Sequence, residues 1–241
     1  MQDAIVIIPT YNEIENIEAI IRAVFAQDKV FSILIVDDNS PDGTGTKVKS
    51  LQSEFPEKLY LLSRANKTGL GTAYIEGFKW CLQRHYNYIF EMDADFSHNP
   101  EDLIKLYNAC AIKGADMAIG SRYIGNRVNV VDWDMKRLLM SYFASKYVKF
   151  ITRMRIDDTT AGFICYSRKV LETINLDKIK FVGYAFQIEM KFKAHLKAFN
   201  IVEVPIIFTD RAKGKSKMSG SIISEAIFGV INMKFKSLFG K

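Results

Sequence analysis

The chain has 241 residues, of which 49% are hydrophobic and 25% are charged. This ordinary globular composition excludes wholesale disorder, and no apolar run is long enough (about 18 residues) to span a bilayer. The three cysteines, Cys81, Cys110 and Cys165, form no closely spaced pair. A disulfide scaffold and a CxxC zinc site are therefore excluded.

The net charge of +6 is located entirely in residues 211–241, because acidic and basic residues balance in the first 210. This distribution argues against a general nucleic-acid-binding surface, and we expect no nucleic-acid partner. It favours a C-terminal region that faces an anion or a membrane.

Predicted strands and helices alternate through the first 120 residues. The strands are short apolar runs rich in isoleucine and valine, at 4–8, 32–36, 59–62, 88–92 and 115–119. The helices between them have amphipathic or capped patterns, at 13–26, 44–54, 69–84 and 100–111. Apolar strands separated by helices predict an α/β fold with a mainly parallel sheet covered on both faces.

The alternation ends near residue 123. Helices are predicted at 135–150, 185–197 and 221–238, and strands at 162–166 and 201–208. Pro205 indicates an edge strand or a bulge, because proline cannot donate to a sheet ladder. With no repeat or linker, we predict a single domain over residues 1–241 with an elaborated C-terminal half.

Two carboxylates follow the fourth predicted strand, in the segment EMDADFSHNP at 91–100. Asp93 and Asp95 are two positions apart, so both can face the same side. Oxygen ligands at low count are typical of Mg²⁺ or Mn²⁺ when phosphate and water complete the shell. The alternative is a turn and capping cluster before the helix at Pro100.

Polar clusters also follow other strands, at the edge where α/β sheets bind ligands. Asp37 and Asp38 suit contacts to a ribose or a base, although an ordinary capped loop has the same composition. The segment KTGLGTA at 67–73 lacks the full P-loop pattern, so we assign it no phosphate. His98 is interpreted equally well as a turn residue or as a catalytic one.

A series of motifs then resembles a known family. Together they are similar to the dolichol-phosphate mannosyltransferases (polyprenol-monophosphate mannose synthases) of glycosyltransferase family 2, from Ile5 to about Ser219. The narrowest motifs point to the polyprenyl-phosphate branch. In chain order they are PTYNE (9–13), VDDNSPDGT (36–44), KTGLGTA, EMDADFSHNP, GSRY (120–123), TTAGF (159–163), GYAFQIE (183–189) and DRAKGKSKMS (210–219).

The resemblance implies a GT-A-type fold and an inverting, Mg²⁺- or Mn²⁺-dependent transfer of mannose from GDP-mannose to a polyprenyl phosphate. It also implies a nucleotide-sugar-binding half (1–120), an acceptor-binding half (121–220) and a C-terminal amphipathic helix (221–241). The implied site residues fall into four groups. They are Pro9, Tyr11, Glu13, Val36 and Asp38 for guanosine; Asp93, Ala94 and Asp95 for diphosphate and metal; Arg122, Arg211 and Lys217 for phosphates; and Arg137 and Ser141 for the acceptor phosphate.

This chemistry needs no obvious general base, because a phosphate monoester is already anionic at neutral pH. Three positions depart from the family pattern. Ile164 replaces a frequent arginine, Lys215 a frequent glutamate, and Ser97 a glutamine of some members, which puts a third protein ligand to the metal in doubt.

The last predicted helix has a wide apolar face with lysines near its end. It suits a membrane interface and packing on the sheet equally well. We expect a cytoplasmic protein that is peripheral at the cytoplasmic face of a membrane. Its partners would be the membrane surface, a small membrane partner subunit or both, through which it reaches the acceptor. Two alternatives remain open: transfer from another donor such as UDP-glucose, and a non-catalytic nucleotide-binding subunit of a membrane complex.

Overall fold

A computed structural model describes residues 3–29, 31–124, 127–183, 185–210 and 220–239, with side chains of the last segment from 228. Eleven strands are present in this described part: β1 Ala4–Thr10, β2 Ser32–Asp37, β3 Leu59–Ser63, β4 Tyr88–Glu91, β5 Met117–Ser121, β6 Tyr123–Ile124, β7 Arg127–Val128, β8 Val130–Val131, β9 Ile164–Ser167, β10 Ile201–Pro205 and β11 Phe208–Thr209. The α-helices there are α1 Ile17–Phe25, α2 Thr44–Gln52, α3 Leu70–Leu82, α4 Asp102–Ala111, α5 Met135–Thr152, α6 Arg168–Thr173, α7 Ala185–Leu196 and α8 Gly220–Leu238.

The main sheet has seven strands in the order β10-β5-β9-β4-β1-β2-β3. Strand β9 runs antiparallel to both of its neighbours, β4 and β5, whereas the other pairs are parallel. The prediction of an α/β fold with a mainly parallel sheet is therefore confirmed.

The core lies on both faces of this sheet. Along β1, Ile5 and Ile7 contribute to one buried cluster and Val6 and Ile8 to the other. Successive side chains of a strand point to opposite faces, so a continuous apolar run is what a sheet covered on both sides requires. Helices α3 and α7 cover the first face, and α1, α2 and α4 cover the second.

The prediction of one strand over 201–208 is wrong, because the segment is divided into β10 and β11. Ile206 is buried and donates its N–H to the Ser121 carbonyl, after which the chain leaves the sheet. Phe208 then pairs with Val130 of β8 in a separate two-stranded ladder. Pro205 ends the outermost strand, as its missing N–H predicts.

Parallel strands bring their carboxyl ends to one edge of a sheet. The loops that follow β1, β2, β3, β4 and β5 therefore meet at the same edge. This is the ligand-binding edge of open α/β sheets.

Helices α5 and α8 contact each other and leave apolar side chains exposed. Val230 of α8 is buried, so the last helix packs on the core while its opposite face is open. The exposed side chains of this α5–α8 surface are Met135, Leu139, Met140, Phe143, Phe150, Phe228, Ile231, Phe235, Leu238 and Phe239. Within the described ranges, no helix combines the length and the apolar character needed to cross a membrane.

Candidate active site

The ends of β1 and β2 are joined by the side chain of Asp37. Its carboxylate accepts hydrogen bonds from the Thr10 hydroxyl (2.8 Å) and from the Ser40 hydroxyl (2.6 Å). The Asp38 N–H donates to the Thr10 carbonyl (3.0 Å). Asp37 thus shapes the loop, which leaves Asp38 as the carboxylate available for a ligand.

Asp38 is paired with Arg64, a residue that the motifs did not reveal. The Arg64 guanidinium donates to Asp38 Oδ1 at 2.5 Å, and both side chains are buried. Burial raises the pKa of the Asp38 carboxyl, an effect that the Arg64 charge opposes. The position of Arg64, directly after a strand at the ligand-binding edge, was the available signal.

The other residues implied for guanosine lie along the same loops. The Tyr11 ring lies 4.1 Å from the Lys67 ammonium, a cation–π contact. Glu13 accepts a hydrogen bond from the Asn16 amide (3.1 Å), at the start of α1. Val36 is fully buried in β2 and Pro9 is half-buried, so Val36 offers a ligand only its backbone.

The loop after β4 carries Asp93, Ala94 and Asp95. Asp95 is buried and accepts a hydrogen bond from the Ser97 N–H (3.1 Å), while the Asp93 N–H donates to His98 Nδ1 (3.1 Å). These two bonds fold the loop back on itself. Phe96 adopts φ 61°, a left-handed conformation that costs a bulky residue about 1–3 kcal/mol.

The side-chain oxygen atoms of this loop are the kind of ligand that a hard divalent cation binds. The Ser97 hydroxyl is buried without a hydrogen-bond partner among the described residues, two positions after Asp95. A buried hydroxyl without a partner is costly unless it meets a ligand or water. No described group of three or more His, Cys, Asp or Glu side chains could hold a metal ion. Two carboxylates and a hydroxyl are oxygen ligands at low count, a set that suits Mg²⁺ or Mn²⁺ when phosphate and water complete the shell.

His98 packs between this loop and the core. Its ring stacks on Phe163 with centroids 4.8 Å apart, and burial lowers its pKa to about 4. The imidazole is therefore neutral near pH 7, with Nδ1 accepting the Asp93 N–H. This geometry favours the turn interpretation of His98 over the catalytic one.

Arg122 is held by Asp158, another residue that the motifs did not reveal. The guanidinium donates twice to the Asp158 carboxylate, at 2.7 Å each, and once to the Thr160 hydroxyl (2.8 Å). Burial alone would raise the pKa of Asp158, but Arg122 holds that pKa below its usual value. Glu203 of β10 fixes the carboxylate-bearing loop by accepting the N–H of Asp158 (2.8 Å).

A buried amine lies close to this pair. Lys191 of α7 is fully buried and donates to the Ala161 carbonyl (2.5 Å), in the loop that carries Asp158. Burial lowers the pKa of Lys191 to about 8, and burial raises the pKa of Glu91 to about 8. The core beneath the site therefore contains ionisable groups of both signs.

The residues implied for the acceptor phosphate lie on α5. Arg137 and Ser141 are four positions apart, which places them on the same helix face. The Arg137 guanidinium donates to Asp210 (2.7 Å) and lies 4.2 Å from the Trp133 ring centroid. Arg211 and Lys217, together with Lys215, lie outside the described residues.

Comparisons with known proteins show which family and fold this chain shares. The model of "Glycosyl transferase family 2" matches residues 5–174. The polyprenol monophosphomannose synthase of Mycolicibacterium smegmatis is 47% identical, over 95% of this chain and 86% of its own. The undecaprenyl-phosphate mannosyltransferase of Micrococcus luteus is 42% identical, over 93% of this chain and 90% of its own.

Solved structures show the same fold. Glucosyl-3-phosphoglycerate synthase from Mycobacterium tuberculosis, in complex with Mn²⁺, UDP and phosphoglyceric acid, has a TM-score of 0.68 at 16% identity. A complex of that enzyme with Mn²⁺, UDP-glucose and phosphoglyceric acid has a TM-score of 0.68 at 15% identity. Each alignment covers 98% of this chain, with 78% and 79% of the other chain. The predicted GT-A-type architecture is confirmed.

Proposed function

Because the chain belongs to glycosyltransferase family 2, we propose that it transfers mannose from GDP-mannose to a polyprenyl phosphate with inversion at the anomeric carbon. Relatives that align over more than nine-tenths of the chain act on polyprenyl phosphates by name. The observation that carries the proposal is the meeting of three features at one sheet edge: the buried carboxylate Asp38, the Asp93–Asp95 loop and the buried cation Arg122.

The donor lies along this edge. Pro9, Tyr11, Glu13, Val36 and Asp38 hold the guanosine, and Ala94 lies against the diphosphate. Asp93 and Asp95 would hold Mg²⁺ or Mn²⁺, with the Ser97 hydroxyl as a further oxygen ligand. When bound, the metal neutralises negative charge on the departing diphosphate.

The acceptor supplies its own nucleophile. A phosphate monoester oxygen forms a bond to the anomeric carbon while the bond from that carbon to the diphosphate oxygen breaks, and GDP leaves with the electron pair. The acceptor needs no general base, because it is already ionised. The protein aligns two anions that repel each other.

Cationic side chains offset this repulsion. Arg122 is preorganised by Asp158 to face phosphate charge, and a fixed guanidinium costs little reorganisation during transfer. Arg137 and Ser141 contact the acceptor phosphate, and Arg211 and Lys217 bind donor or acceptor phosphates. Residues 1–120 then form the donor half, 121–220 the acceptor half and 221–241 the terminal helix of a single domain.

The lipid acceptor places the enzyme at a membrane surface. The α5–α8 surface presents exposed phenylalanines, and Lys236 of α8 is exposed as well. Aromatic and basic side chains together favour the interface of an anionic bilayer. We place the protein at the cytoplasmic face of the membrane, either directly or through a membrane partner.

A donor panel tests the proposal. Purified protein is incubated with a polyprenyl phosphate in detergent and with labelled GDP-mannose, GDP-glucose, UDP-glucose or UDP-galactose. Label from GDP-mannose alone in the organic phase is expected. Label from a UDP-sugar instead would move the protein to the other donor class.

A further inference from the structure

The Asp158 loop, defined here as residues 157–161, lies between α5 and β9 and contains no helix or strand. Asp158 and Thr159 have no exposed surface, and Ala161 is also buried. Loops usually run over the surface, because water there satisfies their backbone N–H and carbonyl groups. A buried loop needs its partners inside the protein, and two charged side chains of the core supply them.

Glu203 of β10 holds the start of the Asp158 loop. Its Oε2 atom accepts the Asp157 N–H at 2.7 Å, and its Oε1 atom accepts the Asp158 N–H at 2.8 Å. Hydrogen bonds to a carboxylate are roughly twice as strong as neutral ones. Ile201 packs on the first face of the sheet and Val202 on the second, so the alternation of the strand directs Glu203 to the first face, which α7 covers.

Lys191 of α7 holds the end of the same loop. Its ammonium is fully buried and donates to the Ala161 carbonyl (2.5 Å) and to the Gln187 carbonyl of its own helix (3.3 Å). Methionine would fill a similar volume at this position without the cost of burying a charge. The amine is therefore explained by its bond to the loop rather than by packing.

Charge links the two ends of the loop through Asp158. Burial raises the pKa of the Asp158 carboxyl, but the charges of Arg122 and Lys191 bring it below its ordinary value. Asp158 thus remains ionised in the core and accepts the Arg122 guanidinium through both oxygens. The charged and titratable groups that face the Lys191 ammonium are Glu91 of β4, Asp158, Arg122 and Glu203.

The Arg122 guanidinium depends on this loop for its orientation. Besides its two bonds to Asp158, it donates to the Thr160 hydroxyl (2.8 Å). Its hydrogen-bond partners in the described part of the chain therefore all belong to the Asp158 loop. The backbone N–H of Arg122 donates to the same carboxylate (2.9 Å). A shift of the loop would carry the guanidinium with it.

We propose that Glu203 and Lys191 are positioning residues for the transfer reaction: they hold the two ends of the Asp158 loop, and the loop orients Arg122 toward phosphate. Both act through the loop and neither contacts a substrate. The inference rests on the proposed function, since it concerns the cation that offsets negative charge during transfer. A fixed guanidinium needs no reorientation as that charge develops, so release of either end should lower kcat.

Transfer kinetics of the full chain test the proposal with two variants of opposite charge. Lys191→Met removes a positive charge and Glu203→Gln a negative one, and each releases one end of the loop. Both should lower kcat at least about tenfold, while the KM for GDP-mannose changes less than about twofold because base and metal contacts remain. Glu203 lies on the outermost strand, so Glu203→Gln keeps the test available if Lys191→Met folds poorly.

The opposite charges exclude a simple field effect. If these side chains acted only through their charge on phosphate, loss of the negative charge in Glu203→Gln would raise kcat or leave it unchanged. Positioning instead predicts a fall in both variants.

The pH profile adds a readout that a merely structural role would not move. Burial lowers the pKa of Lys191 to about 8, so its ammonium is charged at pH 7 and mostly neutral at pH 9.5. The ratio of wild-type kcat to Lys191→Met kcat should therefore shrink over this interval. Lys193→Met makes the same substitution two positions along α7, where the lysine pairs with Glu189 (3.5 Å), and should leave kcat and its pH dependence unchanged.

Two further measurements show whether the effect passes through Arg122. Adding Lys191→Met to Arg122→Gln should cause no further loss of kcat. The Nε–H of Arg122, which donates to Asp158, should exchange with solvent more rapidly in Lys191→Met and in Glu203→Gln, as followed by NMR of the arginine side chains. This exchange is measured without substrate.

Additive losses in Lys191→Met/Arg122→Gln would overturn the inference and leave the proposed function intact. So would a ratio of kcat values that stays constant with pH, or an Arg122 exchange rate that neither variant changes. A wild-type protein that transfers no mannose would overturn the proposed function, while the exchange rates would still show whether Glu203 and Lys191 hold Arg122 in place.

Discussion

The Arg122 guanidinium and the Asp158 carboxylate form a bidentate ion pair that is almost completely buried. The Nε and Nη2 atoms of Arg122 each donate to the carboxylate at 2.7 Å. The two side chains come from different loops at the ligand-binding edge. Residues 36 positions apart are thereby joined. A buried pair of this kind fixes a cation in place, and removing one partner leaves an uncompensated charge.

The first prediction concerns this pair. Asp158→Asn should lower the free energy of unfolding by about 3 kcal/mol, because Arg122 is left buried without its counter-charge. Urea denaturation measures this loss. Asp177→Asn removes one partner of an exposed ion pair with Lys79 and serves as the control, with stability nearly unchanged. Equal stabilities of the two variants would contradict the account.

The second prediction concerns the metal loop. Asp95→Asn should reduce transfer at least about 100-fold and abolish the Mn²⁺ dependence of GDP binding, because a neutral amide is a poor ligand for a hard cation. Glu101→Gln removes an exposed acid just beyond the loop and should have no such effect. EDTA-sensitive activity that survives in Asp95→Asn would show that the metal is held elsewhere.

The third prediction uses the Ser97 hydroxyl, which is buried without a partner among the described residues. Ser97→Ala should raise the free energy of unfolding without metal by about 1 kcal/mol, since an unsatisfied polar atom is removed. The same variant should bind Mn²⁺ several-fold more weakly. Unchanged Mn²⁺ affinity in Ser97→Ala would exclude Ser97 as a ligand. A loss of stability would show that its hydroxyl is satisfied in the metal-free protein.

The fourth prediction concerns pH. The pKa of Lys191 is lowered from its ordinary value of 10.5 to about 8 in the folded protein. Between these two pH values this lysine is more protonated in the unfolded chain than in the folded protein. The contribution of Lys191 to the free energy of unfolding then rises with pH over this range, by at most about 1.4 kcal/mol per unit. Glu91, Asp158, Arg122 and Glu203 face this amine.

Lys191→Met isolates that contribution. The stability of the wild-type protein minus that of Lys191→Met should increase from pH 8 to pH 10, as measured by urea denaturation at each pH. A difference that stays constant over this interval would mean that burial does not lower the pKa of Lys191.

The fifth prediction concerns the α5–α8 surface. Phe143→Ser combined with Phe235→Ser should weaken binding to vesicles that contain anionic lipid, because two exposed aromatic anchors are lost. GDP affinity should not change. Ile112→Ser replaces an equally exposed apolar residue at the end of α4 and is the control. Unchanged vesicle binding in the double variant would remove this surface as the membrane contact.

The sequence predicted the fold well because its strands are continuous apolar runs between amphipathic helices. The core run of β1 and the turn residues after it could be located from composition alone. Two-residue strands such as Val130–Val131 carry too few residues for a periodic pattern, and the division of the segment around Ile206 depends on a partner distant in sequence.

Part of the candidate site could be located from the sequence, for a related reason. Asp38, Asp93 and Asp95 belong to compact motifs and could be singled out by their spacing. Arg64 and Asp158 act through partners 26 and 36 positions away, and only the folded sheet brings each pair together. The local signal for Arg64 is limited to its position directly after a strand, and no motif includes Asp158.

The proposed activity is tested by the transfer of labelled mannose from GDP-mannose to a polyprenyl phosphate, with the label followed into the organic phase. We predict lipid-borne label that requires the acceptor, disappears with EDTA and returns with excess Mg²⁺ or Mn²⁺. Silence with every sugar nucleotide, in detergent and in vesicles alike, would contradict the account and favour a non-catalytic role.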